Sequence, residues 1–149
     1  MAELRSARLG VVLTLSEREE EQAATRLQQG RAVLEREQSQ LLELQGYHAE
    51  YEQTIAAQRL QISVQTLVTY RHFLGELSRS VDAQALRVKQ ADAQCLRLMR
   101  EWQQAFHRRK SIAELIERLR LEEDAHAEKQ LQKLMDELTS ISRRHRDAE

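Results

Sequence analysis

Apolar residues recur in steps of three and four along two long stretches of the chain, with polar residues between them. That spacing gathers the apolar side chains on one helix face and, sustained over many heptads, is the pattern of a coiled coil. In the first stretch, heptad position a falls on Leu13, Leu27, Leu34, Leu41, His48 and Ile55, and position d on Leu9, Ser16, Ala23, Gly30, Leu44 and Tyr51. Glu20 and Glu37 also fall on this seam, so the first stripe is imperfect. In the second stretch, position a takes Leu67, Leu74, Val81, Val88, Cys95, Trp102, Arg109 and Ile116. Position d takes Tyr70, Leu77, Gln84, Ala91, Leu98, Ala105, Ile112 and Leu119. The stripe then changes phase and resumes as Ala127, Leu131, Leu134, Leu138 and Ile141. Two consecutive steps of four near Glu123 form a stutter, which locally unwinds a supercoil.

Between the stretches, from Gln58 to Ser63, the stripe lapses. Ser63 is placed to cap a second helix, because its hydroxyl can accept a bond from a free amide of the first turn. No proline interrupts either stretch. The pattern predicts an all-α fold: a single antiparallel two-helix coiled-coil hairpin over residues 1–149. Helix one covers about 4–57, the bend about 58–64 and helix two about 65–142.

A bend near residue 62 makes residues level when their numbers sum to about 125. Leu27 then meets Leu98, Leu13 meets Ile112, Leu9 meets Ile116 and Leu44 meets Val81. Bulky Trp102 faces Ala23, Leu34 faces Ala91, and polar Ser16 faces Arg109. The second helix overhangs the first by about thirty residues. Leu131, Leu134, Leu138 and Ile141 on that overhang have no partner within the hairpin, and such a stripe needs another surface to cover it.

Composition agrees with this shape and narrows the chemistry. Charged residues make up 32% and aromatics only 4%, a mix suited to long helices. The net charge of −1, with both signs interleaved, reads as a solvated surface with no strong field toward nucleic acid or membrane. The lone Cys95 forms no internal disulfide and fits a reducing compartment. Leu9 to Leu15, preceded by Arg5 and Arg8, faintly resembles a signal segment. Gly10 and Thr14 break it, and an acidic run without a small-residue cleavage site follows, so it reads as helix. No stretch approaches the roughly 20 apolar residues that span a bilayer.

Five histidines, at 48, 72, 107, 126 and 145, share no face at metal-ligand spacing. Cys95 sits at a seam position as a small buried residue, and the isolated glycines build no phosphate loop. A thin two-helix seam offers no cleft that excludes water. The expectation is a protein without catalytic residues, cofactor or metal. The clusters Arg108-Arg109-Lys110 and Arg143-Arg144-His145-Arg146 lack the long basic block of a DNA-binding zipper. Contact with an acidic protein surface suits them better than nucleic acid.

Tyr47 and Phe73 both occupy g positions just outside the seam. In an antiparallel pair the two g rows flank one side, so these rings share a face, bordered by Leu44, Tyr51 and Leu77. Such a patch is either a docking hot spot or a cover for the seam's edge.

Several segments, in this order and spacing, resemble FliJ, a soluble coiled-coil component of bacterial flagellar type III protein export. They are Tyr47-His48-Ala49-Glu50-Tyr51, Tyr70-Arg71-His72-Phe73-Leu74 with Glu76-Leu77, Trp102 with Arg108-Arg109, and the run from Glu128 to Leu138. The resemblance implies a cytoplasmic protein, peripheral to the inner membrane at the flagellar base. It implies a stalk-like partner of the hexameric export ATPase FliI, contact with the export-gate protein FlhA, and association with the flagellar export chaperones. The gate-binding surface of that family maps here to Gln40, Leu44, Tyr47, Tyr51, Phe73 and Leu77. The chain departs from it at Ser80 and Gln84, where the family surface can carry Ala and His. Arg108, Arg109, Lys110, Arg118 and Arg120 lie toward the termini and are the candidate ATPase-ring contacts. Leu131, Leu134, Leu138 and Ile141 are the candidate C-terminal partner stripe. Two alternatives are the equivalent stalk protein of a virulence secretion system and a generic self-associating coiled-coil adaptor.

Overall fold

The computed structural model describes residues 4–149. Two helices pack against each other as an antiparallel hairpin: α1, Arg5–Gln58, of 54 residues, and α2, Val64–Asp147, of 84 residues. Among the described residues there is no strand. Leu, Ala, Gln, Glu and Arg, all good helix formers, carry both helices, and no proline removes a backbone donor.

The bend takes residues 59–63 and uses no residue in the left-handed backbone region. The Gln61 amide donates to the Gln58 carbonyl at 2.9 Å. Ser63 then starts α2 as the serine position predicts: its hydroxyl accepts from the Thr66 amide at 3.2 Å and bonds the Thr66 hydroxyl at 2.8 Å. At the other end α2 runs on to Asp147, past the residue-142 limit of the apolar stripe. Arg144, His145 and Arg146 occupy its last turn, where positive charge meets the partial negative charge of the exposed carbonyls.

The described chain separates into two compact units, Glu21–Gln104 and the residues up to Glu20 together with Ala105–Glu149. In the unit holding the bend, Ala23, Leu27 and Leu98 are buried, and Leu34, Leu41, Leu44, Val81, Val88, Ala91 and Cys95 are half-buried. These are the a and d positions of the heptad frame. Gly30 has a specific use: a Cβ there would stand 2.5 Å from Leu98 Cδ1. The missing methyl lets Leu98 lie against the α1 backbone, one turn beyond Leu27, its expected partner.

The polar interruptions of the seam are layers with partners. Gln84, 5% exposed, donates through Nε2 to the Glu37 carbonyl at 2.9 Å and also to the Glu37 carboxylate. An unpaired amide or carboxylate there would carry a desolvation cost, and the pair removes it for both.

In the unit holding the termini, Ile116 and Leu119 are buried on α2, while the buried α1 side chains are Ser6 and Ser16. Arg109, which the level-pair rule sets opposite Ser16, has its ion-pair partner on a different residue. Its Nε donates to the Glu20 carboxylate, one turn further along α1. A long guanidinium can reach along the seam to an anion about one turn from its level position. Glu37 with Gln84 falls four short of the expected sum, and Ser6 with Glu123 four beyond it. Polar side chains thus reach about one turn to either side of the level position.

The seam stops at Glu123. Every described residue after it is exposed, including Leu131, Leu134, Leu138 and Ile141, each more than half exposed.

Candidate docking surfaces

Heptad position g puts Tyr47 and Phe73 beside the seam, and the helix repeat puts Tyr51 one turn beyond Tyr47 on α1. Across the hairpin, the Tyr51 and Phe73 rings meet with centroids 4.8 Å apart and planes tilted by 49°. An offset, tilted pair is a favourable arrangement of two ring quadrupoles. Tyr47 is 51%, Tyr51 41% and Phe73 45% exposed, so all three rings are open to solvent, and Tyr51 and Phe73 brace each other. Leu44 and Leu77 are half-buried seam residues bordering them, and Gln40 is exposed one turn before Leu44.

The two departures from the family surface separate here. Ser80 is exposed, and its hydroxyl donates to the Glu76 carbonyl at 3.2 Å. Gln84 is buried against Glu37, so it belongs to the packing of the hairpin and lies outside any face offered to a partner. His48, a seam residue, remains partly exposed, with Nδ1 3.7 Å from Glu52 Oε1. That is an ion pair only when the imidazole is protonated, and it is too long for a hydrogen bond.

The five basic residues grouped by sequence split into two kinds. Arg109 is held inside the hairpin: it pairs with Glu20, and its guanidinium carbon lies 5.2 Å from the centre of the Phe106 ring. Arg108 makes an exposed pair with Glu19 at 3.2 Å. Lys110, Arg118 and Arg120 are exposed. A partner would meet these three directly, and would have to compete with Glu19 for Arg108.

One feature escaped the sequence reading. Glu123 accepts two bonds from Ser6, from its amide at 3.2 Å and its hydroxyl at 2.6 Å. The Ser6 hydroxyl, first of all, then the Ser6 amide and the charges of Arg120 and Arg5, hold the Glu123 carboxyl below its ordinary value against an opposing desolvation. The only sequence signal was the stutter at that residue.

Along the seam beside Gly30 and Ala91 runs an open groove of about 520 Å³, flanked by Arg26 and Arg87. It lies open to solvent, unlike a pocket that shields a reacting group. Among the described residues, no group of three or more His, Cys, Asp or Glu side chains could hold a metal ion, and no helix is long and apolar enough to cross a membrane.

No curated protein and no solved structure matches the chain. A family model described as Flagellar FliJ protein matches residues 5–148, nearly all of both helices, and the chain therefore belongs to the FliJ family.

Proposed function

We propose that this chain is a non-catalytic, stalk-like component of flagellar type III protein export, working at the cytoplasmic face of the inner membrane. It joins the export ATPase FliI to the gate protein FlhA and assists delivery of chaperone-bound substrates. Membership of the family supports the export role and favours the flagellar reading over the virulence one. The observation that carries the finer reading is the Tyr51–Phe73 ring pair with Tyr47 one turn away, three large aromatic side chains left open on a chain that has few. Rigid, partly desolvated aromatics are the usual anchors of an interface. In this reading Gln40, Leu44, Tyr47, Tyr51, Phe73 and Leu77 receive the gate protein.

The ATPase ring falls to the other unit. Lys110, Arg118 and Arg120, with Arg108 by exchange from Glu19, face acidic loops of the ring, and Leu131, Leu134, Leu138 and Ile141 supply the apolar part of that contact. A hexameric ring and a single chain cannot match in symmetry, so the ring subunits meet the chain unequally. A chain that binds one nucleotide state of a subunit more tightly shifts that subunit's equilibrium by the difference in binding free energy. Steady-state ATP hydrolysis by purified FliI, with and without the chain, tests this. Stimulation that saturates near one chain per hexamer supports it, and an unchanged rate at saturating chain rejects it.

A further inference from the structure

We infer that residues 5–20 of α1 form a strap that opens from α2 as one unit while the part of the hairpin nearer the bend stays closed. Four observations carry this. The compact-unit boundary falls after Glu20, where the Glu20–Arg109 pair makes a polar layer across the seam. The far end of the strap is fastened by Ser6 to Glu123, and every described residue of α2 beyond Glu123 is exposed. The first turn of α1 has no acidic residue of its own, so Glu123 on the other helix does the capping that a local side chain ordinarily does. Between these two fastenings the strap buries little apolar surface. Its buried side chains are Ser6 and Ser16, while Leu9 and Leu13 are only half-buried and Val11, Val12 and Leu15 are exposed.

Segments that open below the global unfolding free energy are those with few buried apolar contacts, and they open as cooperative blocks. Here the block has a polar boundary at each end. Opening it uncovers Ile116 and Leu119, the buried side chains of α2 in this unit. The unpartnered stripe of α2, which begins at Leu131 in the closed state, then extends back toward Ile116. The closed strap therefore sets how much of that stripe is on offer. This differs from simple fraying of a terminus, which loses protection gradually from the end inward.

Amide hydrogen exchange of the full chain at neutral pH tests the strap. The expected profile is one common level of protection from Leu9 to Glu17, then a step to stronger protection by Leu27. Ser6→Ala should speed exchange across the whole first block by about tenfold, the order expected on losing a cap, and leave residues 27–48 unchanged. Glu123→Ala, which removes both acceptors, should do at least as much. In a Cys95→Ser background, a Leu119→Cys thiol should be labelled faster when Ser6→Ala is added. A smooth gradient of protection from the terminus, or equal acceleration in residues 27–48, would overturn the inference. The unsubstituted chain's profile carries the same test should a variant lose helicity.

Discussion

Ser6 gives both its amide and its hydroxyl to the carboxylate of Glu123, at 3.2 and 2.6 Å, and this pair marks the last layer of the seam between α1 and α2. Because the folded carboxyl is held below its ordinary value, the pair is fully stabilising above the unfolded carboxyl's pKa and is lost as pH falls through the folded one. The groups that face it are Ser6 and Arg5 from α1 and Arg120 from α2. Lowering pH from neutral into the acid range should therefore loosen residues 5–20 first. In Glu123→Gln that pH dependence should flatten, as read by exchange or by a spectroscopic probe on the strap.

The Tyr51–Phe73 contact allows a test that separates docking from packing. Tyr51→Ala and Phe73→Ala should be coupled in stability by about 0.5–1.5 kcal/mol. Tyr47→Ala, on a more exposed ring, should change stability little. It should still weaken binding to FlhA by more than about 1 kcal/mol if the ring is a hot spot. Thermal melts and a binding titration on the same variants give both numbers. A large fall in melting temperature for Tyr47→Ala would assign the ring to the seam's edge.

Gln84 and Glu37 form a partner-dependent layer. Gln84→Leu alone should cost about 1–3 kcal/mol by leaving the Glu37 carboxylate without its amide. Adding Glu37→Leu should recover much of that loss, since an apolar pair satisfies itself. Denaturant titration of the two singles and the double checks it.

The same logic divides two neighbouring arginines. Arg109 and Glu20 side chains are 28% and 20% exposed, against 66% and 54% for Arg108 and Glu19. Arg109→Ala should cost about 1–3 kcal/mol, whereas Arg108→Ala should stay within about 1 kcal/mol. Effects of Arg109 variants on ATPase stimulation will therefore mix folding with contact, as will those of Arg120, whose charge acts on Glu123; Lys110 and Arg118 are the cleaner positions for charge reversal.

Glycine replacement should sort by surroundings. Gly46 and Gly75 have nothing within 4 Å of an added Cβ, whereas Gly30 would place one 2.5 Å from Leu98 Cδ1. Gly46→Ala and Gly75→Ala should each stabilise by about 0.5–1 kcal/mol. Gly30→Ala should gain less or turn destabilising, because Leu98 is buried and must move. Melting temperatures of the three single variants settle the order.

The heptad pattern located both helices, the bend, the Ser63 cap and most of the half-buried positions, because each is a property of one helix read along its own sequence. The partners of the polar seam residues were not legible in the same way. Glu20 and Glu37 read as flaws, since a stripe does not show what the other helix brings opposite. Arg109 was placed on the seam opposite Ser16 and also among the candidate ATPase-ring contacts, because its partner Glu20, distant in sequence, was not visible. Gln84 was placed at a seam d position, and its partner Glu37 was not legible for the same reason. Glu123 registered only as a change of phase, and its role depends on where the first turn of α1 ends in space. Of the proposed docking face, the expected grouping of Tyr47, Tyr51 and Phe73 came from heptad positions, while the contact of Tyr51 with Phe73 depended on how the two helices align.

The most direct measurement is equilibrium binding of the purified chain to FlhA and to FliI, side by side, for two variants. One is Tyr47→Ala with Phe73→Ala, and the other is Lys110→Glu with Arg118→Glu. The expected result is crossed: the first loses affinity for FlhA and keeps FliI, and the second loses FliI and keeps FlhA. Equal loss of both partners in either variant, with helicity intact, would contradict two separate docking surfaces on this chain.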